Sequence, residues 1–380
     1  MQVVPSLRDE PGAHAAVDIA LTLLQAGARA LVAGENGPLA GKLRGFGAEF
    51  QHLPNDTLNP LRIAHSTRAL AKLIANERVD IVHAQGAGAA WSALLATHKQ
   101  PVYLVTSFPN RLPGNTYFGN MLRASLARGD RVIAPSAYVS RVMIARYKLK
   151  PDCITVIPRA VDTAAFGPTA VSTERIAMLR RAWGVSPDMR VVLMPASQAA
   201  RNGQMSVIDA IRPIADSGFR NIVFVFAGAE PHLTRQLRRR ARKRGIDRLC
   251  RFVAHCTDMP VALAAADLVV LPALKPPLSG RAAAETQAAG RPLVATGVGM
   301  LPENLLCPPR MPEELRTGWL VRPGNTGELA AAVGDALRLD VTAYEALGAR
   351  ARQFAEFMFS PPSVAEAMRG VYTSLLARDS

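Results

Sequence analysis

Short runs of apolar residues alternate along the chain with longer segments in which apolar positions recur at helical spacing. Most of the short runs are continuous, which is typical of strands covered on both faces in a parallel sheet. The longer segments predict amphipathic helices, for example over residues 15–26, 64–75, 139–147, 206–215, 233–244 and 326–337. Strands are predicted over residues 2–5, 30–33, 80–84, 102–106, 131–134, 154–157, 191–194, 222–227, 250–253, 268–271, 293–295 and 319–321.

The order of these elements predicts a doubly wound α/β fold, because strands and helices alternate from end to end. At 380 residues the chain is too long for one ordinary core. We therefore expect two Rossmann-like domains, residues 1–165 and 166–360, facing each other across a ligand-binding cleft. Ser360-Pro361-Pro362 interrupts the last helical pattern. Beyond this break, we expect the helix within 361–380 to cross back to the first domain.

The segment 279–295 predicts a helix that starts at glycine and leads into a buried strand. Free backbone N–H groups and the helix dipole attract anions to such a start, so Ser279, Gly280 and Arg281 are candidates for binding a phosphate. Glu285 lies about a turn and a half further on, where it can accept hydrogen bonds from a ribose. The alternative is an ordinary helix that is capped by Ser279 and carries Glu285 in solvent.

The formal net charge is +15, which indicates an acidic partner such as a nucleic acid, an anionic membrane or a phosphorylated substrate. Cations are densest in residues 235–244, and this helix has no interleaved aromatic residues for base stacking. We therefore expect no nucleic acid partner. Two interpretations of this helix stay open: a solvated outer face of the second domain, or contact with an anionic membrane face.

The chain has no uninterrupted apolar run of membrane-spanning length and no signal-peptide pattern at its start. We therefore expect a cytoplasmic protein. The four cysteines have neither Cys-x-x-Cys spacing nor a histidine at ligand spacing. This argues against structural zinc and a disulfide framework, and predicts reduced, buried thiols.

Ordered strings along almost the whole chain resemble glycosyltransferase family 4. They are VDIA at 17–20, VDIVHA at 79–84, GDRVIA at 129–134, VIPRAVD at 156–162, DMP at 258–260, AADL at 265–268, GRP at 290–292 and TGWLV at 317–321. The resemblance implies a GT-B fold and retaining transfer of a sugar from a nucleotide-diphosphate sugar to a saccharide or lipid-linked acceptor in cell-envelope glycan synthesis. It implies no metal and no cofactor other than the donor substrate. It also implies a peripheral position on the anionic inner membrane face, because enzymes of this family often work on lipid-linked acceptors beside that surface.

The second domain departs from the pattern that the resemblance implies. Ser197 and Asn202 stand where the family has the Arg and Lys that hold the diphosphate leaving group. Arg201, just before Gly203 in the same loop, and Arg281 are candidate replacements, or else solvated surface arginines. Of the family's paired glutamates, Glu285 matches the ribose-binding one, whereas Pro277 takes the place of the other.

The first domain departs from the pattern as well. Pro109 stands where a His beside the transferred sugar is expected, and Gly12 is the one flexible point left in the acceptor-side loop 9–14. His83 ends a predicted strand, and we expect it to be a structural hydrogen-bonding group.

Two hypotheses follow. The protein is an active glycosyltransferase, or it is a non-catalytic relative that acts as a binding or scaffolding partner. Each lost electrostatic contact costs roughly a hundredfold to a thousandfold in rate, which is the argument for the second.

Overall fold

The computed structural model describes residues 1–8, 10–55, 57–108, 124–195, 203–219, 221–254, 256–277 and 279–377. The chain divides into two compact units. Unit 1 comprises Met1–Ala160 together with Pro361–Ser380, and unit 2 comprises Val161–Ser360. Each unit contains one fully parallel sheet with helices in the connections, so the predicted doubly wound α/β architecture is confirmed.

The sheet of unit 1 has seven strands in the order β3-β2-β1-β4-β5-β6-β7. The strands are β1 (Gln2–Ser6), β2 (Leu31–Glu35), β3 (Glu49–His52), β4 (Ile81–Gln85), β5 (Tyr103–Ser107), β6 (Arg131–Ala134) and β7 (Ile154–Val156). The described helices of unit 1 before the boundary are α1 (Pro11–Gln25), α2 (Leu39–Gly45), α3 (Pro60–Asn76), α4 (Ala87–Thr97) and α5 (Ala137–Tyr147).

Unit 2 contains a six-stranded sheet in the order β10-β9-β8-β11-β12-β13. Its strands are β8 (Arg190–Pro195), β9 (Ile222–Ala227), β10 (Cys250–Val253), β11 (Leu268–Leu271), β12 (Leu293–Thr296) and β13 (Gly318–Val321). Its described helices are α6 (Thr173–Ala182), α7 (Gln204–Asp216), α8 (Pro231–Lys243), α9 (Met259–Ala264), α10 (Arg281–Ala288), α11 (Thr326–Arg338) and α12 (Val341–Phe359).

The last helix, α13 (Pro361–Leu376), belongs to unit 1. It packs against α1 and contributes Met368, Tyr372 and Leu375 to a buried cluster with Val105 of β5 and Ile133 of β6. This helix therefore completes the core on one face of the first sheet.

Strand β3 was not among the predicted strands. It lies at the edge of the sheet, and only Phe50 of its four residues is partly buried. An edge strand with polar, exposed residues lacks the continuous apolar run by which the buried strands were recognised.

Candidate functional site

Helices α7 and α10 begin next to each other in unit 2, because each follows one of two neighbouring strands, β8 and β11. The order of the strands reverses at this pair. In open parallel sheets, ligands bind outside the carboxyl ends of the strands at such a switch point. Gly203, immediately before α7, approaches this edge closely, because an added Cβ there would lie 1.7 Å from the carbonyl oxygen of Pro272. Only glycine fits at this position.

The first turn of α10 carries no side-chain cap. Its N-cap residue is Gly280, and no side chain accepts a hydrogen bond from the N–H groups of the first turn within the described residues. The alternative in which Ser279 caps the helix is therefore wrong. The start of α10 keeps backbone N–H groups available to an anion.

Asn304 packs against this helix start. A Cβ added at Gly280 would lie 2.7 Å from Asn304 Nδ2 and 2.8 Å from Oδ1. Asn304 is buried, and its Nδ2 donates to the carbonyl of Met300 at 2.7 Å. The sequence does not single out Asn304, since no motif or spacing around it differs from that of other polar residues.

Glu285 lies in α10 with its side chain turned inward. It is only 4% exposed, so the alternative that placed it in solvent is wrong. Arg281 Nε donates to Glu285 Oε1 at 2.5 Å. Burial raises the pKa of Glu285, and the hydrogen bond from Arg281 opposes this rise. Arg281 itself is mostly exposed, but it is paired and not simply solvated.

The remaining predicted residues of unit 2 are placed as follows. Ser197, Arg201 and Asn202 lie outside the described residues. Pro277 is described, and the Pro276-Pro277 pair packs against Gly299, whose φ is +60°.

Thr296, at the end of β12, donates to the carbonyl of Ala273 at 2.6 Å and so ties β12 to the chain that follows β11.

Gly12 lies in the first turn of α1 and not in a loop. Its expected role as a flexible point of a loop is wrong, because it has ordinary helical geometry and an added Cβ would make only van der Waals contact, 3.7 Å from Gln85 Oε1. It does lie next to the carboxyl end of β4. Pro109 lies outside the described residues.

His83 of β4 is buried between two hydroxyl groups. Its Nδ1 lies 2.6 Å from the Tyr372 hydroxyl, and its Nε2 lies 2.7 Å from Ser107 Oγ. Burial lowers the pKa of His83 to about 3 and raises the pKa of Tyr372 above its usual value. The imidazole is therefore neutral, as expected for a structural hydrogen-bonding group.

The basic helix α8 does not present cations around its whole circumference. Leu237 and Ala241 form a buried stripe, and Arg240 and Arg244 both pair with Asp209 of α7. We call the exposed cations on the rest of the helix the basic surface: they are Arg235, Arg238, Arg239, Arg242 and Lys243.

The four cysteines are free thiols, and Cys250 and Cys307 are buried while Cys153 and Cys256 are partly buried. Within the described parts of the chain, no group of three or more His, Cys, Asp or Glu side chains could hold a metal ion. A search of the same residues finds no helix with the length and apolarity needed to cross a membrane.

Two family models match the chain in succession. The model described as Glycosyltransferase Family 4 matches residues 14–165, and the model described as Glycosyl transferases group 1 matches residues 190–338. The chain belongs to the family 4 type of glycosyltransferases. All eight strings noted in the sequence lie within these matched regions.

Individual relatives agree with this assignment. A D-inositol 3-phosphate glycosyltransferase from Geodermatophilus obscurus is 32% identical over 185 residues, which are 46% of this chain. The match covers only 40% of that relative's length.

Solved structures match over nearly the full chain. A glycosyltransferase from Rickettsia africae ESF-5 has a TM-score of 0.78 at 20% identity and covers 99% of this chain and 98% of its own. HepE from Anabaena in complex with UDP and glucose has a TM-score of 0.72 at 20% identity and covers 98% of this chain and 100% of its own. These likenesses show the GT-B fold.

Proposed function

We propose that this protein transfers a sugar from a nucleotide-diphosphate sugar to a saccharide or lipid-linked acceptor. The observation that carries the proposal is Glu285, a buried carboxylate on a helix whose start has no side-chain cap, at the switch point of the second sheet. HepE, which shares the fold, is known in complex with UDP and glucose. This supports a uridine nucleotide as the first donor to test.

In the proposed complex, the diphosphate lies at the start of α10, near Ser279 and Gly280, and the ribose hydroxyls donate to Glu285. The ribose then replaces Arg281 as the donor to this carboxylate. The released guanidinium becomes available to the diphosphate, where cations stabilise the charge that develops on the leaving group. The family has two cations at the positions of Ser197 and Asn202, and this chain lacks both. Arg281, together with Arg201 of the loop that ends at Gly203, thereby offsets part of this loss.

A direct binding measurement tests this site. We expect UDP and UDP-glucose to bind the parent protein, and Glu285→Gln to weaken binding roughly tenfold to a hundredfold, since a hydrogen bond to a charged group is lost. Glu345→Gln, at an exposed position of α12, is the matched control and should bind like the parent. Equal affinity of Glu285→Gln and the parent would contradict the proposed site.

Transfer and donor hydrolysis, measured on the same samples, separate activity from binding alone. The non-catalytic alternative is not favoured, because the Geodermatophilus relative and the Rickettsia structure are both named as glycosyltransferases. Nucleotide binding without transfer or hydrolysis, over a panel of saccharide and lipid-linked acceptors, would reinstate it.

We further propose that the protein works in the cytoplasm and contacts the anionic inner-membrane face through the basic surface of α8. Acidic lipids attract clusters of surface cations, at about 1 kcal/mol per Lys or Arg near the membrane. We expect the protein to float with vesicles that contain phosphatidylglycerol and to be released by salt. Vesicles of phosphatidylcholine alone should not bind it.

A charge-matched pair of variants locates this contact. The double variant Arg239→Glu and Lys243→Glu should lose flotation. Arg62→Glu with Arg68→Glu, at exposed positions of α3, changes the net charge equally and should still float. Equal loss in both double variants would show that net charge alone governs binding and would contradict a site on α8.

A further inference from the structure

The contacts of His83 link helix α13 to the carboxyl end of strand β5 in the first sheet. Tyr372 of α13 is almost completely buried, His83 is 1% exposed, and Ser107 is partly exposed at the carboxyl end of β5. The two hydrogen-bond distances, 2.6 Å and 2.7 Å, are short enough for both bonds to be fully formed. A continuous chain of hydrogen bonds therefore runs from Tyr372 through the imidazole to Ser107.

The positions of the hydrogen atoms in this chain follow from burial. A neutral imidazole has one N–H, so it donates to one hydroxyl group and accepts from the other. If Nδ1 donated to Tyr372, the buried phenol hydrogen would have no acceptor among the described residues. A buried donor without a partner is costly, whereas the hydroxyl of a partly exposed serine reaches water or a ligand.

The buried tyrosine therefore determines which atom donates in each of the two hydrogen bonds. Tyr372 donates to Nδ1 of His83, and Nε2–H of His83 donates to Ser107 Oγ. The hydroxyl hydrogen of Ser107 is then left to point away from the imidazole. Ser107 acts as a hydrogen-bond donor toward any ligand at this edge.

The surroundings of Ser107 indicate what the ligand is. Gln85 lies beside Ser107 in the parallel register of β4 and β5, and the first turn of α1, at Gly12, lies next to the Gln85 side chain. In the first turn of α1, Pro11 has no N–H, and the N–H groups of Ala13 and His14 donate to the carbonyl of Glu10. The N–H of Gly12 has no acceptor among the described residues, so this turn adds one further donor. A hydroxyl donor and a backbone N–H donor favour a ligand that offers oxygen lone pairs.

We propose that Ser107 donates a hydrogen bond to an oxygen atom of the sugar acceptor and that Tyr372 and His83 are positioning residues that hold its hydroxyl in the donating orientation. This inference rests on the proposed glycosyl transfer and names a residue that contacts the acceptor. It also separates Ser107 from an activated nucleophile, since a serine that accepts from the imidazole has no base to take its proton.

Histidine NMR tests the orientation independently of activity. In protein labelled with ¹⁵N-histidine, the signals of His83, assigned by their absence from His83→Gln, should report a neutral ring protonated at Nε2 from pH 5 to pH 8. Tyr372→Phe should change this pattern, because Nδ1 loses its donor. Protonation at Nδ1, titration near pH 6.5, or an unchanged spectrum in Tyr372→Phe would overturn this arrangement of the hydrogen bonds.

Kinetics test the ligand, with UDP-glucose as donor and D-inositol 3-phosphate as the acceptor probe. Ser107→Ala should raise the acceptor KM about threefold to tenfold and leave the donor KM unchanged. Ser107→Thr keeps the hydroxyl and should restore the acceptor KM, and Tyr372→Phe should raise it. An acceptor KM that does not respond to Ser107→Ala would overturn the acceptor contact.

The two measurements keep the two proposals apart. If the parent protein transfers no sugar, the proposed function and the acceptor contact both fail. The NMR spectra still decide whether Ser107 is a fixed donor.

Discussion

At the scale of single residues, the Arg281–Glu285 pair sets the electrostatics of the candidate donor site. A buried carboxylate is costly unless it is paired, and here one guanidinium at the helix start supplies the partner. Arg281 is a cation at the positive end of the helix dipole, which is an unfavourable place for it. The pair is therefore well suited to exchange partners when an anionic ligand binds.

Glu285 should leave a signature in the pH dependence of stability. Burial raises the pKa of Glu285 in the folded protein above the ordinary value of 4.5. The stability that the protonated side chain contributes is therefore fully present below pH 4.5, and it is lost as the pH rises through the folded pKa. Glu285→Gln cannot ionise. We expect its free energy of unfolding, measured with urea, to rise relative to the parent between pH 4 and pH 7. A difference that stays constant with pH would contradict this expectation.

Local spacing found part of the site and could not find the rest. Gly280 and Glu285 were recognised because their spacing along one helix is visible in the sequence. The burial of Glu285 and the contact of Asn304 with Gly280 depend on how separate elements pack. The same holds for Tyr372, which reaches His83 from 289 positions away in the chain.

At the scale of elements, burial determined which predictions succeeded. The strands Ile222–Ala227 and Leu268–Leu271 have the predicted bounds, because apolar residues fill them and a polar residue, Asn221 or Asp267, stands directly before each. The exposed strand β3 was missed for the opposite reason. Helix α8 shows a buried stripe within a highly charged sequence, since Leu237 and Ala241, together with the partly buried Leu233, attach it to the core.

Helix α12 packs on the end of α10 through two glycines. A Cβ added at Gly348 would lie 2.6 Å from the carbonyl oxygen of Gly290, so Gly348→Ala should force the helices apart and cost about 1–3 kcal/mol of unfolding free energy. Gly370 in α13 has nothing within 4 Å of its added Cβ.

Gly370→Ala is therefore the matched control for this contact, and it should stabilise the protein by about 0.5–1 kcal/mol through helix propensity. Chemical denaturation of the two variants measures both changes in the free energy of unfolding. Stabilisation by Gly348→Ala would show that the helices do not meet as described.

For the molecule as a whole, two units with separate cores imply that each unit has its own free energy of unfolding. Leu375 of α13 is fully buried in unit 1, and Leu375→Ala should cost about 2–5 kcal/mol there. Hydrogen exchange should speed up in strands β4 to β6, while the strands of unit 2 keep their protection. Equal loss of protection in both sheets would mean that the units unfold together.

The position of α13 also bears on how the protein is made. Between Ala160 and Pro361 the ribosome adds the 200 residues of unit 2, which takes roughly 10 to 40 s at about 5–20 residues per second. During that interval the nascent unit 1 lacks the helix that covers Val105 and Ile133. Unit 1 is thus translated in two parts, and its core stays incomplete until the whole of unit 2 has been synthesised.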